Sequence, residues 1–436
     1  MNRRYFLMGT AAAAGAANIR ALASPNDTIR IACVGLRGRG RDHINAYLKM
    51  PNVEIAAVCD IDESILSERT AMVASKAPKK PAAYTDFRRL LEDQSIDAVS
   101  IATPNHHHTL QTIWALQAGK HVFVEKPCSH DMFEARQIAA AAHRYNHLLV
   151  QHGTQSRSLP SAREAIQKIR DGLIGDIYMA RGLCFKWRDT IGRAPEEPVP
   201  GGVHYDLWLG PAPQRPFTKN RFHYNWHWFW DYGNGDIGNQ GPHQIDVCRW
   251  GLDVKYPYKV SATGGHFMFD DDQETPNVVT ASYEFRDSAG RRKHMAFEVR
   301  HWISNHEAGI DGGPNRDSNT MGAVFYGSKG YLAIEYDGRY QSWLGRDRQH
   351  GPANFAEASH WQNFIDALRS GKASDLHAPI EEGAISTTLV HLANISYRLG
   401  RTLTFDAENY RCEGDAEATA MFRRQYRAPF VVPDQI

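Results

Sequence analysis

The 436-residue chain is roughly two to three domains long by the ordinary size prior, enough to bury a substantial core. Its formal charge of +1, with 23% charged residues and no acidic tail, offers no surplus for a phosphate backbone or an anionic membrane, which excludes nucleic acid and membrane surfaces as partners. The six cysteines lack paired spacing, and Cys33 and Cys59 sit inside apolar runs, so neither a disulfide framework nor a zinc ribbon is implied.

Residues 1–23 combine a charged start at Arg3 and Arg4, an alanine-rich apolar stretch and the small-residue pattern Ala21-Leu22-Ala23, the layout of a cleavable signal peptide. The apolar stretch is too short to span a bilayer as a mature helix, and no cysteine follows Ala23, so no membrane anchor is expected. Paired arginines before Tyr5-Phe6-Leu7 look like a twin-arginine signal, which predicts a periplasmic or secreted protein cleaved near Ala23.

From residue 28 to 150, apolar β-rich runs at 28–34, 53–59, 98–102, 121–124 and 148–151 alternate with helical stretches, the rhythm of a parallel sheet wrapped by helices. A helix over 131–145 places Met132, Ala135, Ile138, Ala139, Ala142 and Tyr145 on one face, with Asp131 and Glu134 as a capping box. Ser161 and Glu164 repeat that pattern at the start of a helix ending near Gly172. Beyond Gly175 long strands follow one another, at 176–187, 258–267, 277–285, 293–302, 323–326 and 331–336, which implies a largely antiparallel sheet. A Pro/Gly-rich excursion over 194–216 is placed near the ligand, and helices return at 358–369 and 381–399. The plan is therefore a signal peptide (1–23), an α/β Rossmann domain (24–155), a substrate-binding α+β domain with a large, mostly antiparallel open sheet (156–405) and a docked tail (406–436).

The first strand runs into Gly35-Leu36-Arg37-Gly38-Arg39-Gly40, where glycines let the backbone turn tightly and approach a pyrophosphate at a helix N-terminus. Arg37 occupies the second glycine position of the G-x-G-x-x-G pattern. Asp60, at the end of the next strand, suits the two hydroxyls of an adenosine ribose and repels a 2′-phosphate, which favours NAD over NADP. Phosphate contacts from Arg37 and Arg39 would partly offset that preference.

Two further segments stand at strand ends, where ligands bind in open parallel sheets: Thr103-Pro104-Asn105-His106-His107-His108 and Glu125-Lys126-Pro127. With Ala-Gly-Lys-His-Val over 118–122, they resemble the Gfo/Idh/MocA oxidoreductases, whose signatures are T-P-x-x-x-H and A-G-K-H-V-x-x-E-K-P. The resemblance covers most of the first domain. It implies that Lys126 lies beside the nicotinamide and substrate, and that Thr103, Pro104 and Glu125 border the cofactor; Asn105, His108 and Gln155 complete the expected cofactor set. An ammonium beside an oxidised nicotinamide sheds its proton more easily and can relay one from a substrate hydroxyl. Side chains of the three consecutive histidines diverge and cannot share one ion, so no metal is expected.

The second domain supplies Gly-Asp-Ile-Gly-Asn-Gln-Gly-Pro-His over 235–243, with Pro242 in the first turn of a helix and Gly251 at its end. Dehydrogenases of the resembled family often carry D-x-x-x-H here, with the histidine as acid/base. The matching residues are Asn239 and His243, so the carboxylate that would stabilise an imidazolium is missing. Lys126, His243 and Asn239 form the expected catalytic set. Lys186, Trp187, Arg188, Tyr205, Trp208, Trp228 and Trp230, with Asn239 and His243, form the expected sugar-facing wall, whereas His223 and His227 are read as structural.

These readings converge on NAD-dependent oxidation of a sugar or glycoside hydroxyl, or reduction of the ketone, with export implying a tightly held, recycled cofactor. One alternative is a redox-neutral glycosidase, in which transient oxidation acidifies a neighbouring C–H, the aglycone leaves and the hydride returns. The α-N-acetylgalactosaminidase branch typically lacks E-K-P and has a Y-P-T-H-like segment in place of Gly241-Pro242-His243, so Lys126 tilts the reading toward a dehydrogenase. A catalytically idle sugar-binding protein finds support only in Arg37 and Asn239. Family members often pair through the open face of the second sheet, which implies a homo-oligomer.

Overall fold

The computed structural model describes residues 28–310 and 319–436, so the expected signal peptide lies outside the described residues. Six parallel strands build the first sheet: β1 (Ile29–Val34), β2 (Val53–Cys59), β3 (Ala82–Tyr84), β4 (Ala98–Ile101), β5 (His121–Val124) and β6 (Val150–His152). Their spatial order β3-β2-β1-β4-β5-β6 reverses direction between β1 and β4, which opens a crevice over the carboxyl ends of those two strands. Burial on both faces explains the largely apolar runs of β1 and β4, interrupted only by Arg30 and Ser100. The short edge strand β3 has no such run: Ala82 and Ala83 are exposed, and the pattern does not announce it.

Crowding dictates two glycines at the crevice. Gly35 has φ +77°, and a Cβ there would lie 2.7 Å from the Ala102 carbonyl and the Thr103 nitrogen; a Cβ on Gly40 would lie 1.7 Å from the Gly35 carbonyl oxygen. The turn after β1 therefore passes directly under the end of β4, and the helix Gly38–Tyr47 starts against it.

Ten strands build the second sheet: β7 (Ile177–Lys186), β8 (Lys259–Gly265), β9 (Val278–Arg286), β10 (Arg292–His301), β11 (Thr320–Gly327), β12 (Gly330–Glu335), β13 (Tyr340–Leu344), β14 (Gln349–Asn354), β15 (Leu403–Asp406) and β16 (Arg411–Cys412). The order is β14-β13-β12-β11-β7-β10-β9-β8-β15-β16, antiparallel except where β7 meets β10. Strand alternation sets its faces: Met295, Phe297 and Val299 point to the helices Gly241–Leu252 and Ile380–Leu399, while His294, Ala296 and Glu298 stand on the open side. Strands β13 to β16 carry little apolar alternation, β14 being mostly exposed, and the sequence pattern does not reveal them.

Three expected helix ends differ. The helix Pro160–Arg170 starts with proline in its first turn and no side-chain cap; Ser161 instead donates to the Ala356 carbonyl, and Glu164 accepts from Tyr340 (2.8 Å) and Asn354. The helix Gly241–Leu252 runs past Gly251 and is capped by Asp253 in the left-handed region (φ 55°); Gly251 is required because a Cβ there would lie 2.3 Å from the Phe325 ring. Asp131 does cap the helix Met132–Arg144, but the Glu134 carboxylate reaches back to the His130 amide, one residue further than a capping box requires.

Later chain closes the first sheet's layers. Phe364, Ile365 and Leu368 of the helix His360–Ser370 pack on Ile29, Tyr47 and Phe123, and Phe430 and Val432 of the tail join Ile101, Ile113 and Val124 on the opposite face. The excursion after residue 194 folds onto its own aromatic cluster of Tyr205, Trp208, Phe217, Phe222, Phe229 and Tyr232.

Candidate active site

The crevice has two chemically different ends. At the β2 end, Asp60 accepts from the Leu36 amide (2.7 Å) and the Asp62 amide (3.0 Å), which locks its carboxylate beside the glycine turn. Burial pushes the Asp60 carboxyl upward, and these amides pull against it. Arg37 pairs with Asp62 at 2.8 Å, and Arg39 donates to Glu125 at 2.7 Å with its guanidinium 4.7 Å above the Trp361 ring. Both arginines thus have carboxylate partners rather than free heads. Gly38, with φ +31°, faces nothing within 4 Å. Open space over a glycine turn at a helix start, with a fixed carboxylate at the next strand end, fits a dinucleotide.

The loops after β4 and β5 are tied by side chains. Thr103 donates to Gln111 (2.7 Å), Pro104 precedes the short 3-10 turn Asn105–His107, and Asn105 donates to Asn234 (2.6 Å) across to the second domain. The His108 ring lies between the Pro127 and Thr103 carbonyls, at 2.6 and 2.7 Å, and so braces the two loops against each other. His106 and His107 both point a ring nitrogen at the Trp208 carbonyl, at 3.0 and 2.7 Å.

Buried Glu125 and partly buried Lys126 stand at the junction. Burial opposes the Glu125 carboxylate, but Arg39 and His43 outweigh it and hold its pKa well below the usual range. His43 is 3.1 Å from Glu125 and, through its other nitrogen, 2.8 Å from Ser100, which also meets Tyr47. Gly153 is required beside this carboxylate, since a Cβ there would lie 2.8 Å from it. The Lys126 ammonium donates to both the backbone and the side-chain oxygen of Asn239, the latter at 3.0 Å. Burial, opposed by Glu125 and assisted by Lys186 and Arg39, lowers the Lys126 pKa to about 8.

Behind Asn239 lies a carboxylate that the expected D-x-x-x-H pattern overlooks. Asp236, one helical turn earlier, accepts from the Asn239 amide nitrogen (2.8 Å), Lys186 (3.4 Å) and Arg188 (2.7 and 3.3 Å), and lies 2.5 Å from His301 Nε2. Burial opposes its ionisation, but Arg188, Lys186 and His301 keep its pKa well below the ordinary value. An amide is the group that can accept from Lys126 with its oxygen and donate to Asp236 with its nitrogen. Asn239 therefore relays a carboxylate to Lys126 instead of being one.

His243 sits at the start of the next helix, Gly241–Leu252, with Nδ1 buried and lacking a hydrogen-bond partner among the described residues, its ring edge-on to Tyr336 at 5.1 Å. Burial and the positive charge of Lys126 hold its pKa well below normal, so it is a neutral imidazole. Gln155 donates to the Tyr336 hydroxyl at 2.7 Å, which brings the end of β12 to the crevice. Lys186 also donates to Gln240 (2.9 Å); Arg188 donates to Tyr224 (3.0 Å) and lies 4.8 Å over the Trp228 ring. His227 stacks on Trp226, and its charge interactions reach Lys126, Arg188 and Asp236; burial lowers its pKa to about 3.

The remaining expected wall residues go elsewhere. Tyr205 and Trp208 are stacked core members of the aromatic cluster, Trp187 is 42% exposed with its amide on Asn319, and Trp230 lies under Arg398 beside a different cavity, of about 510 Å³. Asp236, His301, Gln240 and Tyr336 join the site unannounced. Only Asp236 left a signal in the sequence, its i, i+3 spacing from Asn239 on one helical face. Among the described residues, no group of histidines, cysteines or carboxylates is arranged to hold a metal ion.

The profile described as the oxidoreductase family, NAD-binding Rossmann fold (Gfo/Idh/MocA) matches residues 29–153, and that described as its C-terminal alpha/beta domain matches residues 176–432. A glycosyl hydrolase family 109 protein of Shewanella pealeana is 32% identical over 157 residues, 35% of this chain and 34% of the relative, so the match spans about a third of that protein's length. The WlbA dehydrogenase of Bordetella pertussis, solved with NADH and UDP-GlcNAcA, superposes with a TM-score of 0.62 at 21% identity, covering 87% of this chain and 99% of the other. The aldose-aldose oxidoreductase of Caulobacter crescentus gives 0.63 at 17% identity, covering 87% and 100%. These two likenesses establish the fold.

Proposed function

The chain belongs to the Gfo/Idh/MocA oxidoreductase family, and from that premise we propose that it moves a hydride between NAD and a hydroxyl-bearing carbon of a sugar or glycoside. The observation that carries this is the position of Lys126: a partly buried ammonium at the end of β5, beside the glycine crevice, held by Asn239 and facing His243 of the other domain.

Gly35, Gly38 and Gly40 would cradle the dinucleotide and Asp60 its ribose, with Thr103, Pro104 and Glu125 along its course. When bound, NAD supplies the hydride acceptor. With its pKa near 8, Lys126 is partly deprotonated at neutral pH and takes the proton from the substrate hydroxyl as the hydride departs. Asn239 fixes the direction of that amine. His243, a neutral imidazole, binds and orients the same or a neighbouring hydroxyl.

The likeness to a glycosyl hydrolase family 109 protein supports a second reading, a redox-neutral glycosidase using the same hydride step. The two differ in products. Incubating the purified protein with a panel of glycosides should yield keto-sugar with net reduction of NAD; aglycone release with no net redox change would instead establish the glycosidase. Denaturing the protein and weighing the released nucleotide tests the cofactor assignment, and finding no nicotinamide would overturn it. We extend the proposal to an exported protein with residues 1–23 removed, checked by the mass of the mature N-terminus, and to a homo-oligomer paired through the open sheet face, checked by light scattering. Among the described residues no helix is long and apolar enough to cross a membrane.

A further inference from the structure

We propose that the substrate carries an anionic substituent, a carboxylate or a phosphate, and that Lys186 and Arg188 receive it. The inference rests on the hydride-transfer reading above and narrows its substrate class.

Three cations, Lys126, Lys186 and Arg188, are gathered around one carboxylate, Asp236. Glu125 balances them only in part, because it is shared between Lys126 and Arg39. The cluster therefore carries a positive excess while Lys126 is protonated. These groups are not solvated surface charges: Lys186 is 7% exposed, and the Arg188 side chain 17%. Removing unmatched cations from water costs several kcal/mol each unless a counter-charge arrives.

Hydrogen-bond capacity points the same way. Five donor contacts converge on Asp236, more than the four lone-pair directions of a carboxylate, so it has no acceptor capacity left for a sugar hydroxyl. The cations are not saturated. Lys186 uses two of its three N–H groups, on Gln240 and Asp236, and Arg188 uses three of its five, on Asp236 and Tyr224. Among the described residues, one ammonium N–H and two guanidinium N–H groups remain, two residues apart in sequence at the end of β7 and fixed on the same carboxylate. Trp228, 3% exposed, backs the Arg188 guanidinium at 4.8 Å and holds its plane. Spare donors, excess charge and an exhausted carboxylate make a subsite that accepts an anion and has little to offer a neutral hydroxymethyl group.

The test is calorimetric binding to the purified full-length protein, using glucose, glucuronate and glucose 6-phosphate, and the matching galactose series. In at least one series an anionic sugar should bind about tenfold or more tightly than its neutral parent, the value of one charge-assisted hydrogen bond. A stronger uronate identifies a carboxylate, and a stronger 6-phosphate a phosphate. In Lys186→Met the affinity for the anionic sugar should fall about tenfold more than that for its neutral parent. No preference for either anion in both series overturns the proposal, whatever the variant does. Binding does not depend on turnover: absence of hydride transfer with every sugar would sink the oxidoreductase reading alone, whereas equal binding and oxidation of neutral and acidic sugars would sink this inference alone.

Discussion

The two ends of the crevice are built by opposite means. The Gly35–Gly40 end is made of backbone: close approach, a helix start and one carboxylate held by two amides, all within 28 residues of chain from Gly35 to Asp62. The Lys126 end is made of side chains, with Lys126, Lys186, Arg188, Asp236, Asn239, His243 and His301 drawn from both domains into one charged network. A backbone site tolerates no added atom and depends little on charge. A side-chain site tolerates shape changes and fails when one charge is lost.

Lys126→Ala tests that contrast most severely. It should lower kcat by about 10²–10⁴-fold, the usual worth of a positioned acid or base, while the nucleotide still copurifies, because the backbone end is untouched. In the wild type, sugar oxidation needs the neutral amine, so kcat/KM should rise with pH through about 8 and level off above it. The variant should lose that limb, and an unchanged pH profile in Lys126→Ala would refute the assignment of the proton to this group.

Asp236→Asn comes next. It leaves Lys186 and Arg188 buried without their shared anion, a change expected to cost about 3–5 kcal/mol of stability by chemical denaturation. Asp236 also raises the Lys126 pKa, so its removal should move the activity limb to lower pH than in the wild type. A limb that stayed in place would mean that Asn239 does not transmit the carboxylate.

The same contrast decides what was legible in the sequence. The glycine turn, Asp60, Thr103-Pro104 and Glu125-Lys126-Pro127 are contiguous segments at strand ends, and patterns within ten residues suffice to find them. Asp236 is half legible, lying one turn before Asn239, but the D-x-x-x-H pattern looks for its carboxylate at 239 and not at 236. His301 and Tyr336 reach the crevice only because β10 and β12 take their places in the ten-stranded sheet, which no local pattern records. Tyr205 and Trp208 show the reverse: aromatic content announces burial, yet composition does not separate a ring that meets substrate from one that meets Phe217 and Phe222. The parallel and antiparallel sheets were readable from strand texture, except for short or exposed edge strands.

At the backbone end, Gly40→Ala should act through shape alone. Its Cβ would fall 1.7 Å from the Gly35 carbonyl oxygen, so the turn must shift, at about 1–3 kcal/mol. Nucleotide affinity should drop with little change in the pH limb, the mirror image of Asp236→Asn. A shifted limb with normal nucleotide content would break the division between the two ends.

Arg37→Ala should have the smallest effect and sharpens the comparison from the charge side. Arg37 stands where the dinucleotide pattern has a second glycine, and its pairing with Asp62 leaves the side chain 44% exposed. Exposed pairs contribute about 0–1 kcal/mol, so stability should barely move. Asp62 already caps the helix Glu63–Ala74 through the Ser64 and Ile65 amides, and those bonds do not need the arginine. If the pair is only structural, NAD and NADP affinities should both stay within about twofold of wild type. A selective loss of NADP binding would show that Arg37 leaves Asp62 for a 2′-phosphate, giving the backbone end a charge-dependent element after all.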